Sequence, residues 1–467
     1  MDAFTEAHVI AAQVRAAELS AVEVLEDALA RIEAHNKPLN AFTALDPDGA
    51  RAQAKAVDAA VAAGRDPGLL AGVPIGVKDL EPAAGLPWTS GSVAFKDQVA
   101  EVDSVQVGRL RAAGAVVVGK TNTPEFGYKG FTDNLLYGPT RNPWNLERTS
   151  GGSSGGSAAA VTAGLVPLAT ASDGGGSIRI PAAFCGCFGL KPSTGRVPRG
   201  DPSVPLWGSL SHRGPVSRTV RDAARYLDVV AGPHPDDLDS MDSPPGGFEA
   251  AVLGPPPSIR RVGWSADLGY AAVDQEVRRI AADAAHRLAE ALGAELVEAD
   301  PGFPNPGADW AAIAAPGDTW FLDSLTAEQK AVMEPGFLAF ASGGRKITGT
   351  RYVAALAARH QLNRTINAYL AEYELLLTPA VAVTAFGAQG PPPAVIDGRA
   401  VAPFEYTPFT YPMNMTGHPA ASLPAGRDSG GLPVGLQVVG PRHADALVLA
   451  VAAAFEAAHP WEWPPAP

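Results

Sequence analysis

Hydrophobic positions near the N-terminus recur at helical spacing. Residues 3–35 carry two such segments, and a third runs from Arg51 to Ala63, where Gly64 ends it. Ser20 and Glu23 form a capping box at the start of the second segment. These patterns predict three amphipathic helices that pack on the rest of the chain. The apolar face of the second helix consists of Val24, Leu25, Ala28, Leu29 and Ile32.

Farther along, short apolar runs of strand length alternate with amphipathic segments. The predicted strands span residues 72–80, 115–119, 166–170, 260–264 and 295–298. The predicted helices span residues 104–113, 220–230 and 274–292. Alternation of this kind is typical of α/β proteins. We therefore expect an α/β fold with a central mixed β-sheet flanked by helices on both faces.

No segment is long and polar enough to require a linker between domains. We expect one large domain over residues 1–467, with N-terminal helices (1–64), a catalytic core (65–232), an exposed loop rich in proline and glycine (233–257) and a C-terminal part (258–467). Residues 303–345 place aromatic side chains among prolines, which predicts irregular structure. These residues would form either a wall or lid over a substrate cleft or a satellite core packed on the main domain. The same two alternatives apply to residues 404–411.

Two glycine-serine clusters lie between Thr149 and Ala183, and the residues from Ala158 to Ala171 that separate them are almost wholly apolar. An apolar run of this length must be buried, so the clusters are interpreted as turns in a packed core. In the second cluster, three consecutive glycines allow backbone N–H groups to converge on one point. Such a nest stabilises an oxyanion. The glycines concerned are Gly174, Gly175 and Gly176.

Ser177 directly follows this nest, and a hydroxyl beside convergent N–H donors suits acyl transfer. Its base is expected to be Lys78, which lies in an apolar strand where burial would lower the pKa of its ammonium group. Ser153, in the first glycine cluster, would relay a proton between the two. The residues thus point to a serine-lysine hydrolase with an oxyanion hole.

The stretch GGSSGGSAAAVTAGLVPLATASDGGGSIRIPAAFCGCFGLKPSTGRVP resembles the signature segment of the amidase signature family, and the likeness extends to GVPIGVKDL, GKTNTPEFG and GPVSRTVRDAA. The resemblance implies Ser177 as nucleophile, Lys78 as base and Ser153 as the serine that follows a cis peptide bond, here from Gly152. One departure is Gly174, where the family commonly carries Thr or Ile. It would either loosen the oxyanion loop or enlarge the floor of the acyl pocket. Three more residues match positions of the family signature that support the triad, namely Ser154, Asp173 and Arg179.

Charged residues near these motifs have two interpretations each. Arg179 would share a side with Ser177 if the chain were extended there, but it would otherwise form a buried structural salt bridge, for example with Asp173. Glu125 and Lys129 would either orient a substrate or lie in a solvated loop. The residues alone leave both pairs of alternatives open.

Composition and charge argue against several classes of partner. A net charge of −13 without a lysine-arginine cluster argues against a nucleic-acid partner. Two cysteines, at 185 and 187, are expected to be reduced, buried thiols, and neither they nor the histidines show a metal-ligand spacing. No signal sequence or apolar run of membrane-spanning length is found. We expect a soluble cytoplasmic protein, a monomer or homodimer, that needs no metal or cofactor and does not bind a membrane.

The resemblance implies an enzyme that hydrolyses C–N bonds in aryl or alkyl amides through an acyl-enzyme, as aryl acylamidases do. Carbamates (urethanes) would be further substrates, which would make the enzyme a urethanase as well. The family also includes the alternative, a glutamine-hydrolysing amidotransferase component for tRNA-dependent amidation. A nucleotide-binding role has no support, because neither GxxxxGK[ST] nor a strand-GxGxxG-helix unit occurs.

Overall fold

The computed structural model describes residues 2–200 and 206–464. Its strands are, in chain order, β1 Phe42–Leu45, β2 Pro74–Lys78, β3 Val116–Thr121, β4 Arg141–Asn142, β5 Asn145–Thr149, β6 Leu168–Asp173, β7 Phe188–Lys191, β8 His212–Ser217, β9 Arg261–Trp264, β10 Glu295–Glu298, β11 Leu375–Pro379, β12 Val395–Ile396, β13 Arg399–Ala400, β14 Ala420–Arg427 and β15 Pro433–Val439. Eleven of them form one sheet in the order β1-β3-β2-β6-β8-β7-β14-β15-β11-β9-β10. The sheet is mixed, because β2 runs parallel to β3 and β6 whereas β8 runs antiparallel to β6 and β7.

Helices flank this sheet. In the described residues they are α1 Ala7–Arg15, α2 Ala21–Leu39, α3 Pro47–Ala62, α4 Val105–Ala112, α5 Gly155–Thr162, α6 Arg179–Cys185, α7 Val220–Val230, α8 Phe248–Leu253, α9 Gln275–Leu292, α10 Gly307–Ser324, α11 Ala327–Ala331, α12 Pro335–Gly343, α13 Gly349–Tyr373, α14 Tyr411–Thr416 and α15 Asp445–Ala458. Every residue of β2, β3, β7 and β15 is buried, which requires cover on both faces of the sheet. The predicted α/β architecture is confirmed.

Local sequence signals explain where the N-terminal helices begin. Ser20 accepts a hydrogen bond from the backbone N–H of Val22, and the predicted capping box with Glu23 is present. The third helix begins earlier than predicted, at Pro47, because the Asp46 carboxylate accepts the N–H of Gly49 and proline suits the first turn. Caps thus locate helix ends that the hydrophobic pattern alone does not.

Only the first half of the first glycine cluster changes the chain direction as the sequence suggested, since residues 152–154 bend and Gly151 has a φ of +76°. Gly155 and Gly156 open α5, a helix whose residues are all buried. A Cβ at Gly155 would lie 2.8 Å from Cβ of Thr132, and one at Gly156 would lie 2.6 Å from the carbonyl oxygen of Ala41. Glycine is needed here for close packing rather than for a turn, which corrects the prediction.

Of two further segments predicted to be irregular, the first is largely so and the second is not. The expected loop at 233–257, which lies within the described residues, contains no helix or strand except α8, whose Phe248 is fully buried beneath the guanidinium of Arg196. Residues 303–345 are mainly helical, and Pro316 lies inside α10. Both roles proposed for this region, a cleft wall and a satellite core, hold in part. Trp320 and Phe321 of α10 line a large cavity. A second apolar cluster forms from Leu322, Met333, Phe337 and Ala341.

Both cysteines are buried and unpaired, as predicted, and burial raises the pKa of the Cys187 thiol to about 12. Within the described residues, no helix has both the length and the apolar character needed to cross a bilayer.

Candidate active site

Lys78 ends β2, which lies between β3 and β6 in the sheet, and the residue is only 1% exposed. Its Nζ lies 2.7 Å from Oγ of Ser153 and 3.0 Å from Oγ of Ser172. Its backbone N–H donates to Oγ1 of Thr170 on the neighbouring β6, which fixes the end of the strand. Burial lowers the pKa of the Lys78 ammonium to about 7, and the more distant Asp173 and Glu81 only partly oppose this effect. Near neutral pH, a substantial fraction of this lysine is therefore an uncharged amine.

Ser153 follows a cis peptide bond from Gly152, as the resemblance implied. Its hydroxyl lies against Gly127, where a Cβ would come within 3.1 Å of Oγ. Ser177 lies between β6 and α6 and is 7% exposed, and its hydroxyl makes no hydrogen bond to another described residue. Its carbonyl accepts the N–H of Ser154 at 3.1 Å, which joins the two glycine-serine segments.

A cavity of about 430 Å³, here called the cleft, contains the side chains of Lys78, Ser153 and Ser177. The fold thus brings together three residues that are 75 and 24 positions apart in sequence. Its polar lining includes Asp318, which sequence analysis did not single out; burial raises the pKa of this carboxyl to about 7, although the Trp207 indole N–H partly offsets the effect. The aromatic lining of the cleft consists of Trp88, Phe95, Phe126, Trp207, Trp320 and Phe321.

The predicted oxyanion hole needs one revision. The N–H of Gly176 donates to Oδ1 of Asp173 at 2.7 Å, so it is already engaged within the loop. The N–H groups of Gly174, Gly175 and Ser177 have no acceptor among the described residues. These three are the remaining candidates for binding an oxyanion, since unpaired donors beside a nucleophile favour a developing negative charge.

Asp173 and Arg179 form a fully buried, bidentate ion pair, with both N···O distances at 2.9 Å. Arg179 begins α6 and is not in extended chain, so the structural salt bridge was the correct alternative. Although burial alone would raise the pKa of the Asp173 carboxyl, the adjacent guanidinium holds it well below its usual range. Arg179 also donates to the side chains of Gln437 and Asn414, at 2.7 Å each. The pair fixes the loop that carries Ser177.

Ser154 and Ser172 connect this loop to the base. Oγ of Ser154 donates to the carbonyl of Ser172 and accepts its N–H, each at 3.3 Å. Ser172 in turn contacts Nζ of Lys78 through its hydroxyl. Ser172 was missed because its role depends on the parallel pairing of β2 with β6, which the sequence does not reveal.

Glu125 and Lys129 are buried, so the solvated-loop alternative is wrong. Lys129 forms an ion pair with Glu334, and Glu125 accepts the backbone N–H of Glu334 at 2.6 Å. Both side chains therefore connect the segment after β3 to the start of α12. Neither lines the cleft.

Comparisons with known proteins identify the family of this chain. Residues 23–449 match the family described as Amidase. An acylamidase from Rhodococcus erythropolis is 40% identical over 97% of this chain and 95% of its own, and a component of the glutamyl-tRNA(Gln) amidotransferase from Synechococcus sp. (strain RCC307) is 38% identical over 94% of each. The crystal structure of a bacterial aryl acylamidase belonging to the amidase signature enzymes superposes with a TM-score of 0.91 at 34% identity, covering 98% of this chain and 97% of the other. This chain belongs to the amidase signature family and is a hydrolase that acts on amides.

Proposed function

We propose that this protein is a serine amidohydrolase that cleaves aryl or alkyl amides, and also carbamates, through Ser177, Ser153 and Lys78. The observation that carries the proposal is the hydrogen bond between Nζ of Lys78 and Oγ of Ser153 in a buried cleft that also holds Ser177. A buried lysine with a pKa near 7 accepts a proton that an ordinary lysine would not.

The proposed reaction begins with neutral Lys78, which takes the proton of Ser153 while Ser153 takes that of Ser177. Oγ of Ser177 attacks the carbonyl carbon, and the unpaired N–H groups of the oxyanion loop bind the resulting negative oxygen. The proton returns through Ser153 to the leaving nitrogen, the C–N bond breaks, and an acyl-Ser177 ester remains. Water then attacks the ester by the same relay in reverse, which releases the acid and restores the serine.

The aromatic lining of the cleft supports aryl substrates, because flat rings stack and pack well on aromatic side chains. The acylamidase and aryl acylamidase names of its relatives support the same class. Carbamates present the same carbonyl and an amine or alcohol leaving group, so we expect the relay to serve them as well. No organic cofactor or metal takes part in these steps.

The pH dependence of kcat/KM should report the protonation of Lys78. Because the pKa of the buried amine is about 7, kcat/KM should fall tenfold per pH unit well below pH 7 and level off above it. The measurement is hydrolysis of 4-nitroacetanilide from pH 5 to pH 9, with circular dichroism at each pH to show that the fold persists. A profile that stays flat over this range would argue against a titrating lysine base.

Glutamine hydrolysis is the second candidate function, since one relative of comparable similarity is part of an amidotransferase. Four substrates separate the two candidates: 4-nitroacetanilide, hexanamide, ethyl N-phenylcarbamate and glutamine. We expect cleavage of the anilide and the carbamate, with glutamine turned over at least tenfold more slowly. Turnover of glutamine alone would reject the proposed function in favour of the amidotransferase.

A further inference from the structure

Trp207 borders both the cleft and a second, smaller cavity that also reaches Ser177. The small cavity measures about 30 Å³, and the residues lining both cavities are Gly127, Ser177 and Trp207. A cavity needs about 10–15 Å³, measured in this way, to hold one water, so this space holds two or three heavy atoms and suits a group of methyl or ethyl size. The remaining lining of the small cavity includes Tyr128, Lys129, Trp310, Phe404 and Tyr411.

Gly174 makes the position of the Trp207 ring possible. A Cβ at residue 174 would lie 2.8 Å from Cζ3 of Trp207 and still closer to Cε3. The ring therefore occupies the space that a side chain at 174 would take. The loop is also supported, since the carbonyl of Gly174 accepts the indole N–H of Trp310 at 2.9 Å.

Two further contacts hold Trp207. Its Nε1–H donates to Oδ2 of Asp318 in α10 at 2.6 Å, and that carboxylate is 3% exposed. Its ring meets Trp310 edge to face, with centroids 5.4 Å apart and planes at 88°. Contacts with the oxyanion loop and with α10 thus fix Trp207 at the boundary between the cleft and the small cavity.

The proton relay decides which part of an amide enters which space. Lys78 and Ser153 line the cleft and not the small cavity. The leaving nitrogen must receive its proton from Ser153, so the amine part of the substrate lies in the cleft. Since the two groups on a carbonyl carbon diverge from it, the acyl part points toward the small cavity. This step rests on the function proposed above.

We propose that Trp207, positioned by Gly174 and Asp318, limits the acyl group, so that the preferred substrates are short-chain amides, acetyl or propionyl, of bulky aryl amines. A hexanoyl group adds four methylenes to acetyl, and these exceed the volume of the small cavity beside the indole.

The test is a series of 4-nitroanilides of acetic, butyric and hexanoic acids. For the wild type, kcat/KM should fall at least tenfold from acetyl to hexanoyl. Trp207→Ala should bring the two values within about threefold of each other. Trp88→Ala, which alters a tryptophan that lines only the cleft, should change both values together and leave their ratio as in the wild type.

Asp318 provides a second pair of variants that does not depend on removing the ring. Asp318→Leu, which lacks an acceptor for the indole N–H, should raise hexanoyl cleavage relative to acetyl, whereas Asp318→Asn retains an acceptor oxygen and should keep the wild-type ratio. Melting curves of each variant confirm that it is folded. An unchanged ratio in both Trp207→Ala and Asp318→Leu, or a wild type that cleaves hexanoyl as fast as acetyl, overturns the inference alone. A wild type that cleaves no anilide overturns the proposed function, and the inference with it.

Discussion

Ser177→Ala is expected to lower kcat for amide hydrolysis by about 10⁴-fold or more while the protein stays folded. The variant removes the atom that forms the acyl bond. It removes little else, because the Ser177 hydroxyl makes no hydrogen bond to another described residue. Initial rates on 4-nitroacetanilide and the thermal midpoint of unfolding measure the two effects. We expect the midpoint to stay within about 2 °C of the wild type.

Ser157→Ala is the matched control, because Ser157 is a fully buried serine at the end of the other glycine-serine cluster. Its hydroxyl contacts Oγ1 of Thr121 at 2.7 Å and donates to the carbonyl of Thr170 at 2.8 Å, away from the cleft. Losing these bonds should lower the free energy of unfolding by about 1–3 kcal/mol, with little change in kcat. If Ser177→Ala retained wild-type turnover, the assigned nucleophile would be wrong.

Arg179→Met should produce the largest loss of stability, about 3–5 kcal/mol in the free energy of unfolding. The guanidinium neutralises Asp173 where both side chains are fully buried, and it also donates to Asn414, Gln437 and the carbonyl of Thr410. Without it, a carboxylate stays in the interior and has lost its bidentate partner. Urea denaturation at pH 7 measures the loss.

Arg345→Met is the control for this variant, since Arg345 pairs with Asp323 where both side chains are about half exposed. Screening by water limits that pair, so the expected loss is below about 1 kcal/mol. Equal losses in the two variants would mean that the buried pair does not hold the loop as described.

The ion pair between Asp173 and Arg179 also predicts how the stability of the fold depends on pH. Because the folded-state pKa of Asp173 is depressed, its contribution is complete above the unfolded-state pKa of about 3.9 and is lost as pH falls toward the lower folded value. Urea midpoints measured between pH 2 and pH 7 should therefore fall more steeply for the wild type than for Arg179→Met. Parallel curves would contradict the ion-pair assignment.

The sequence predicted elements whose boundaries have local causes. Helix α7 spans 220–230 as predicted, because Thr219 caps it through the N–H of Asp222. Strand β10 matches its predicted bounds, 295–298. Predictions failed where composition was used without tertiary context. Glycines at 155 and 156 suggested a turn, yet close packing places them in a helix, and prolines among aromatics at 303–345 did not prevent helices.

The candidate residues that share one cleft are Lys78, Ser153 and Ser177. They were predictable because they were chosen by residue type, namely a lysine in an apolar strand and serines beside glycines. What could not be predicted depends on neighbours distant in sequence. Ser172 reaches Lys78 only because β6 pairs with β2, and the N–H of Gly176 is engaged only because of the fold of its loop. The packing of Trp207 on Gly174 likewise joins two residues that are 33 positions apart in sequence.

The most direct test of the central claim is to identify the residue that carries the acyl group. The enzyme is mixed with 4-nitrophenyl acetate, whose good leaving group makes deacylation limiting, quenched in acid within milliseconds and mapped by peptide mass spectrometry. We predict an acetyl group on Ser177 that forms within the burst, disappears when substrate is exhausted, and is absent in Ser177→Ala. A transient acetyl group on Ser153 or Lys78 instead, or turnover with no acyl-enzyme, would contradict the proposed mechanism.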